Sequence, residues 1–176
     1  MDVEVRQARS DELDQVLAVL DDVGAWLVEI GMSEQWPVSF SSSPRWVEAW
    51  RRWIGEGRVY VGLIDSCVVG TFRLHESDEE IWGPDSAKAG VYLHTLAVNR
   101  RLAGRGVGLQ LLSSAWRCAA ERGRELRLDC WAGNERLRRY YSEAGFEACG
   151  EVQVTVVEDG VERTYVAARF ARLADD

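Results

Sequence analysis

One stretch constrains the fold of this chain more than any other. The apolar run Val91 to Val98 gives way to Asn-Arg-Arg-Leu-Ala-Gly-Arg-Gly-Val-Gly over 99–108, and apolar residues then recur at helical spacing at Leu109, Leu111, Leu112, Ala115, Trp116 and Ala119. The pattern predicts a strand, a glycine-rich turn and a helix that ends at Gly123. Alternate glycines let backbone N–H groups approach an anion closely, and the helix N-terminus adds partial positive charge. Charge agrees: between Asn99 and Arg124 stand six arginines and one acid, Glu121, a local +5 that leaves −13 for the remainder of a chain whose net charge is −8. An anion is expected at this turn, and a cation elsewhere.

The elements around the turn predict a mixed α/β sheet. Val3, Val5 and Gln7 alternate as a short strand, and Ser10 caps a helix carrying Leu13, Val16, Leu17, Leu20, Val23 and Leu27. Residues 31–43 read as a loop, and Ser43-Pro44 opens a second helix that stops at Gly55 or Gly57. The runs 59–64 and 67–75 flank Asp65-Ser66, short enough for a hairpin. Residues 76–89 are polar and acidic. Leu126 to Trp131 reads as a strand, Asn134 to Ala144 as a helix capped by Gly145, and 146–157 with 162–173 as a hairpin turning at Glu158-Asp159-Gly160. At 176 residues with 47% hydrophobic content, residues 1–176 are expected to form one folded domain.

Composition excludes several functions. The acidic balance argues against a nucleic-acid binder, no run is long and apolar enough to span a membrane, and the chain opens without a basic and apolar leader. A cytoplasmic protein is expected. Cys67, Cys118, Cys130 and Cys149 form no Cys-x-x-Cys pair and are expected to be buried, reduced thiols. With only His75 and His94 as imidazole donors, no metal site is expected.

Three readings of the turn compete. The glycines can simply allow a tight connection. A dinucleotide turn is the second, with Asp129 about 20 residues on as a ribose-binding acid. Against it, the spacing is Gly-x-Gly-x-Gly and only about 45 residues, mostly hairpin, follow Asp129. The third is a resemblance. Leu93-His-Thr-Leu-Ala-Val98 followed by Gly104-Arg-Gly-Val-Gly108 resembles the acetyl-CoA motif of the GCN5-related N-acetyltransferase (GNAT) superfamily, Arg/Gln-x-x-Gly-x-Gly/Ala. Aligning Gly106-Val-Gly108 with that pattern puts Ala103 at its first position, and Arg101 matches it only if the motif shifts by two residues. Asn134 with Leu137, Tyr140-Tyr141 and Gly145-Phe146 resembles the second motif, Asn-x(n)-Tyr-x-x-x-Gly-Phe, and the order of elements is similar over nearly the whole chain.

The resemblance implies a mostly antiparallel sheet of about seven strands, a V-shaped splay between two central parallel strands, and about four flanking helices. It implies acetyl-CoA as cosubstrate, held by Leu96, Ala97, Val98, Ala103, Gly104, Arg105, Gly106, Val107, Gly108, Leu109 and Asn134. The implied activity is direct transfer of the acetyl group to a primary amine of a small molecule. A protein N-terminal or lysine acceptor, or a non-catalytic CoA sensor, is the alternative, and homodimers are common in the fold.

Thioester-to-amine transfer needs a base, oxyanion stabilisation and a proton for the leaving thiolate. By resemblance Leu96 and Val98 supply main-chain bonds and Tyr141 is the general acid; the alternatives are Tyr140 in its place, or core packing for either tyrosine. On a strand Tyr92, His94, Leu96 and Val98 share a face unless a bulge intervenes, and an imidazole suits base catalysis near neutral pH. His94 is read either as that base, as in the similar arylalkylamine N-acetyltransferases, or as a structural histidine, with Tyr92 at the place of a second histidine. Glu76 and Asp78 are reserve bases or amine-attracting charges. Five of the eight tryptophans lie within 26–53. Trp46, Trp50 and Trp53 share one helical face and predict packing, while Trp36, in the loop with Gln35, Pro37 and Phe40, is a candidate wall for the acceptor.

Overall fold

The computed structural model describes residues 2–32, 36–158 and 161–173, with backbone alone at 157, 158 and 161. They form two compact units, one made of the chain through Leu74 with Thr95–Ser114, the other of His75–His94 with the chain from Ala115 onward.

The first unit contains β1 (Glu4–Gln7), α1 (Leu13–Glu29), α2 (Pro44–Gly55), β2 (Val59–Ile64) and nearly all of β3 (Cys67–His75). It also takes the second half of β4 (Gly90–Val98) and the first half of α5 (Val107–Ala120). β1 pairs antiparallel with β2, and β2 with β3. Both Asp65 and Ser66 are left-handed, at φ 50° and 63°, which suits the strand twist of a two-residue hairpin. The α1 residues predicted from periodicity are all buried, Val19 is buried besides, and they pack with Trp50, Ile54, Val59, Val61 and Leu63. Fully burying each aliphatic side chain stabilises by roughly 1.5–3 kcal/mol. Leu111 of α5 sits against the backbone of β2 and β3: a Cβ on Gly62 or Gly70 would lie 2.6 Å from its methyl carbons.

The second unit holds the first half of β4, α3 (Glu79–Trp82), α4 (Ser86–Ala89), β5 (Glu125–Trp131), α6 (Glu135–Glu143), β6 (Glu147–Glu158) and β7 (Val161–Arg172). β4 and β5 pair in parallel from Gly90↔Glu125 to Leu93↔Leu128, and β5–β7 and β7–β6 pair antiparallel. The strand order β1-β2-β3-β4-β5-β7-β6 is the mixed, mostly antiparallel seven-stranded sheet expected, with one parallel pair. Leu126, Leu128 and Cys130 are buried on one face of β5, so alternation turns Arg127 and Asp129 to the other.

Four expectations are corrected or bounded. Residues 76–89 are not simply a polar connection: Asp78 caps α3, its Oδ1 accepting the Ile81 N–H at 3.3 Å, and α4 follows, which brings the α-helices among the described residues to six. Only Cys130 is buried; Cys67 and Cys149 are exposed and Cys118 is half-buried, and none of the four is in a disulfide. Cys67 follows the hairpin turn and Cys149 lies at the β6 bulge, which is why strand patterning did not bury them. The alternation of β4 breaks at Thr95, whose φ is 56°. The hairpin signal at Asp159-Gly160 lies outside the described residues. Among the described residues no helix is long and apolar enough to cross a membrane.

Candidate active site

In the first unit the predicted strand, turn and helix form as expected. A short 3-10 turn at Arg100–Leu102 is capped by Asn99, whose Oδ1 accepts the Arg101 N–H at 3.0 Å. Gly104 and Gly106 follow at φ 74° and 79°, a conformation that favours glycine, and a Cβ on either would meet nothing within 4 Å. α5 then begins at Val107, and a helix start leaves its first-turn N–H groups without a helical acceptor. Ala103, Gly104, Arg105, Gly106 and Leu109 are exposed, Gly108 is half-buried, and Val107 anchors the turn in the core. The residues thus fit a phosphate-bearing ligand through backbone donors.

The basic charge is less concentrated than the sequence count implied. Arg101 and Arg105 are exposed beside the turn. The Arg100 guanidinium lies 3.7 Å from the Trp26 ring centroid, and the backbone N–H of Arg100 donates to Asp22 at 2.6 Å. Arg122 and Arg124, beyond α5, bind Glu76 instead.

Leu96 and Val98 on β4 are half-buried and Ala97 is buried, which leaves the strand's main chain as its means of recognition. The Asn99 N–H donates to Val69 at 2.8 Å and keeps the strand end on β3. Trp36 is half-buried, edge-on to Phe40 at 5.7 Å, and Phe40 also meets Trp46 and Trp50. Trp50 is fully buried, as its spacing predicted.

In the second unit, ligand-capable atoms of Asp78, His94 and Asp129 lie within 4.8 Å of one another. Nε2 of His94 is 3.5 Å from Oδ2 of Asp78, and the His94 ring packs edge-on against His75 at 4.8 Å. Burial pushes the Asp129 carboxyl up to about 7, helped by the charges of Asp78 and Glu80. Burial also raises Asp78, opposed by the Ile81 N–H. These close acids disfavour full ionisation, so the cluster holds a proton readily or attracts a cation. Among the described residues it is the group able to share a metal ion.

Tyr141 is buried on α6, facing Phe146 at 6.2 Å and Phe170 at 5.7 Å. Burial, with smaller contributions from Cys130 and Asp129, holds its phenol well above the ordinary value, and Cys130 itself is pushed up to about 11.

Several expected site residues have other occupations. Tyr92 is 1% exposed: its hydroxyl donates to the Ser86 carbonyl at 2.8 Å and receives Arg127 at 3.3 Å, so it is scaffold rather than an open substrate contact. Glu76 is exposed and paired with two arginines, whereas Asp78 stands beside the histidine. The Asn134 side chain caps α6 by accepting the Leu137 N–H at 3.0 Å. The sequence offers Asp129 only as a ribose acid, and an acid alternating with Leu128 and Cys130 on a strand is its one signal for a different role.

The model of the Acetyltransferase (GNAT) family matches residues 28–146. An uncharacterized N-acetyltransferase of Bacillus subtilis, YesJ, is 36% identical over 107 residues, 55% of this chain. The match spans 57% of that relative's length. An N-acetyltransferase from Staphylococcus aureus Mu50 superposes with a TM-score of 0.71 at 15% identity, over 99% of this chain and 100% of the other. The structure of yncA from Salmonella typhimurium, with its cofactor acetyl-CoA, gives 0.68 at 15% identity over 100% and 96%.

Proposed function

The chain belongs to the acetyltransferase (GNAT) family, and we propose that it transfers the acetyl group of acetyl-CoA directly to a primary amine of a small molecule. The cluster of Asp78, His94 and Asp129 carries this reading, because it joins a proton acceptor to an electrostatic attraction for a cation.

Acetyl-CoA supplies the activated acyl group, and the fit of its phosphates rests on the open left-handed turn at Gly104 and Gly106 and on the α5 N-terminus. The main chain of Leu96 and Val98 would hold the pantetheine and the thioester carbonyl, an N–H stabilising the oxygen as negative charge develops. Ala103, Arg105, Val107, Gly108 and Leu109 complete the turn, and Asn134 contributes by fixing the start of α6. Asp78 and Asp129 would attract the acceptor as an ammonium, and His94 would remove the proton that must leave before nitrogen can attack. As the carbon–nitrogen bond forms and the carbon–sulfur bond breaks, Tyr141 would protonate the thiolate. Its raised pKa keeps it protonated across the working range. Trp36 would shape the acceptor side. We read the two units as one acetyltransferase domain, acting in the cytoplasm, with a homodimer compatible with the fold.

The test is incubation with acetyl-CoA and a panel of amines, amino acids and short peptides, read by free-thiol release. Release with small amines supports the proposal. Release with peptides alone would transfer it to a protein acceptor, and CoA binding without release from any acceptor would leave a CoA sensor.

A further inference from the structure

Among the described residues three non-glycine residues have positive φ, and two of them, Asp65 and Ser66, form a hairpin turn that requires it. The third, Thr95, lies inside β4 at φ 56°. A β-branched side chain is disfavoured there, and such a conformation persists only where the surroundings impose it. The surroundings here are Arg73. Its Nε and Nη2 donate to the Thr95 hydroxyl oxygen at 3.2 and 2.8 Å. The same guanidinium lies over Trp53 at 3.8 Å and Trp50 at 5.1 Å from the ring centroids. Stacking fixes the guanidinium plane, and the plane fixes where its donors point. Burial lowers Arg73 to about 10, which leaves it charged at neutral pH. The residue whose backbone is set by this arrangement is the one before Leu96.

We propose that Arg73 is a positioning residue: seated on Trp50 and Trp53, it holds Thr95 in the left-handed conformation and so aims the main-chain groups of Leu96. This rests on the acetyl-transfer reading for its consequence, but the Arg73–Thr95 link can be measured without it.

Four variants test it, assayed for kcat, KM, CoA affinity and thermal unfolding. Thr95→Val keeps the branch and deletes the acceptor; Thr95→Gly deletes both the acceptor and the strain; Arg73→Met is made alone and with Thr95→Gly. Misaiming by a fraction of an ångström to an ångström should lower kcat about 10- to 100-fold in Thr95→Val and Arg73→Met, with acceptor KM within about twofold. Thr95→Gly should stay within about threefold of the parent, and Arg73→Met on that background should cost less than about threefold. Unchanged kcat in Thr95→Val overturns the proposal. So does an equal loss from Arg73→Met on both backgrounds, which would make Arg73 a direct contact to the acceptor. If Arg73→Met does not fold, the Val and Gly pair decides alone. If the parent protein transfers no acetyl group, the function reading falls, and the unfolding temperatures still decide this one: no coupling between positions 73 and 95 would overturn it.

Discussion

Nε2 of His94 stands 3.5 Å from Oδ2 of Asp78, a carboxylate oxygen without a hydrogen bond among the described residues on a side chain that is 9% exposed. The carboxylate is therefore placed to draw a cationic acceptor toward the imidazole. Asp78→Asn keeps a side-chain oxygen for the α3 cap and removes the charge, and should raise the acceptor KM about 10-fold while the KM for acetyl-CoA stays within about twofold. His94→Gln should lower kcat/KM about 100-fold or more. Kinetics unchanged in both variants would take the acceptor and base roles away from this pair.

Asp129 predicts an opposition between stability and activity. Its carboxyl is raised from the ordinary range to about 7 in the folded chain, so between about pH 4 and 7 the folded protein holds a proton that the unfolded chain has released. That contribution to stability falls as pH rises through this window and is at its lowest above 7. Asn carries no such penalty. Asp129→Asn should thus unfold a few degrees higher than the parent at pH 8, on the order of 1–2 kcal/mol after solvent screening, with the difference shrinking toward pH 4. It should also lose acetyl transfer. A melting difference that is the same at both pH values would show that Asp129 ionises in the fold as it does in water.

For Tyr141 the burial that suppresses ionisation sets the pH behaviour. A phenol held well above its ordinary value contributes no basic limb between about pH 8 and 10. Tyr141→Phe keeps the ring against Phe146 and Phe170 and should retain CoA affinity and unfolding temperature while kcat falls about 10- to 100-fold. An unaltered kcat would leave the tyrosine as a core residue.

How far the sequence reveals this protein depends on whether a feature is local or convergent. The turn at Gly104 and Gly106, the core face of α1 and the Asp65-Ser66 hairpin follow from backbone sterics and periodicity, so each was legible from neighbouring residues. The Asp78–His94–Asp129 cluster was not, because its members come from three separate segments: the pairing of β4 with β5 brings His94 and Asp129 together, and Asp78 joins them from the cap of α3. Glu76 and Asp78 looked equivalent in one acidic run. What separates them is α3: capping it directs Asp78 inward, while Glu76 is taken by Arg122 and Arg124. Thr95 broke the period-two reading of β4 because a left-handed threonine inside a strand leaves no compositional mark.

Gly24 supplies a prediction whose sign propensity alone would get wrong. It lies in the interior of the 17-residue α1, where replacing glycine by alanine ordinarily stabilises by about 1 kcal/mol. A Cβ at this position would lie 2.7 Å from the Val38 carbonyl oxygen and 2.8 Å from that of Pro37. These are backbone atoms of the segment that carries Trp36 and Phe40, and that segment is tied to the same helix, the Phe40 N–H donating to Asp21 at 2.6 Å. The segment cannot step back without loosening that bond and the edge-to-face contacts of Phe40 with Trp46 and Trp50. Gly24→Ala should lower the unfolding temperature, alter tryptophan emission and raise the acceptor KM more than the KM for acetyl-CoA. A higher unfolding temperature would mean the segment yields freely, and with it the case for Trp36 as a fixed wall of the acceptor site would fail.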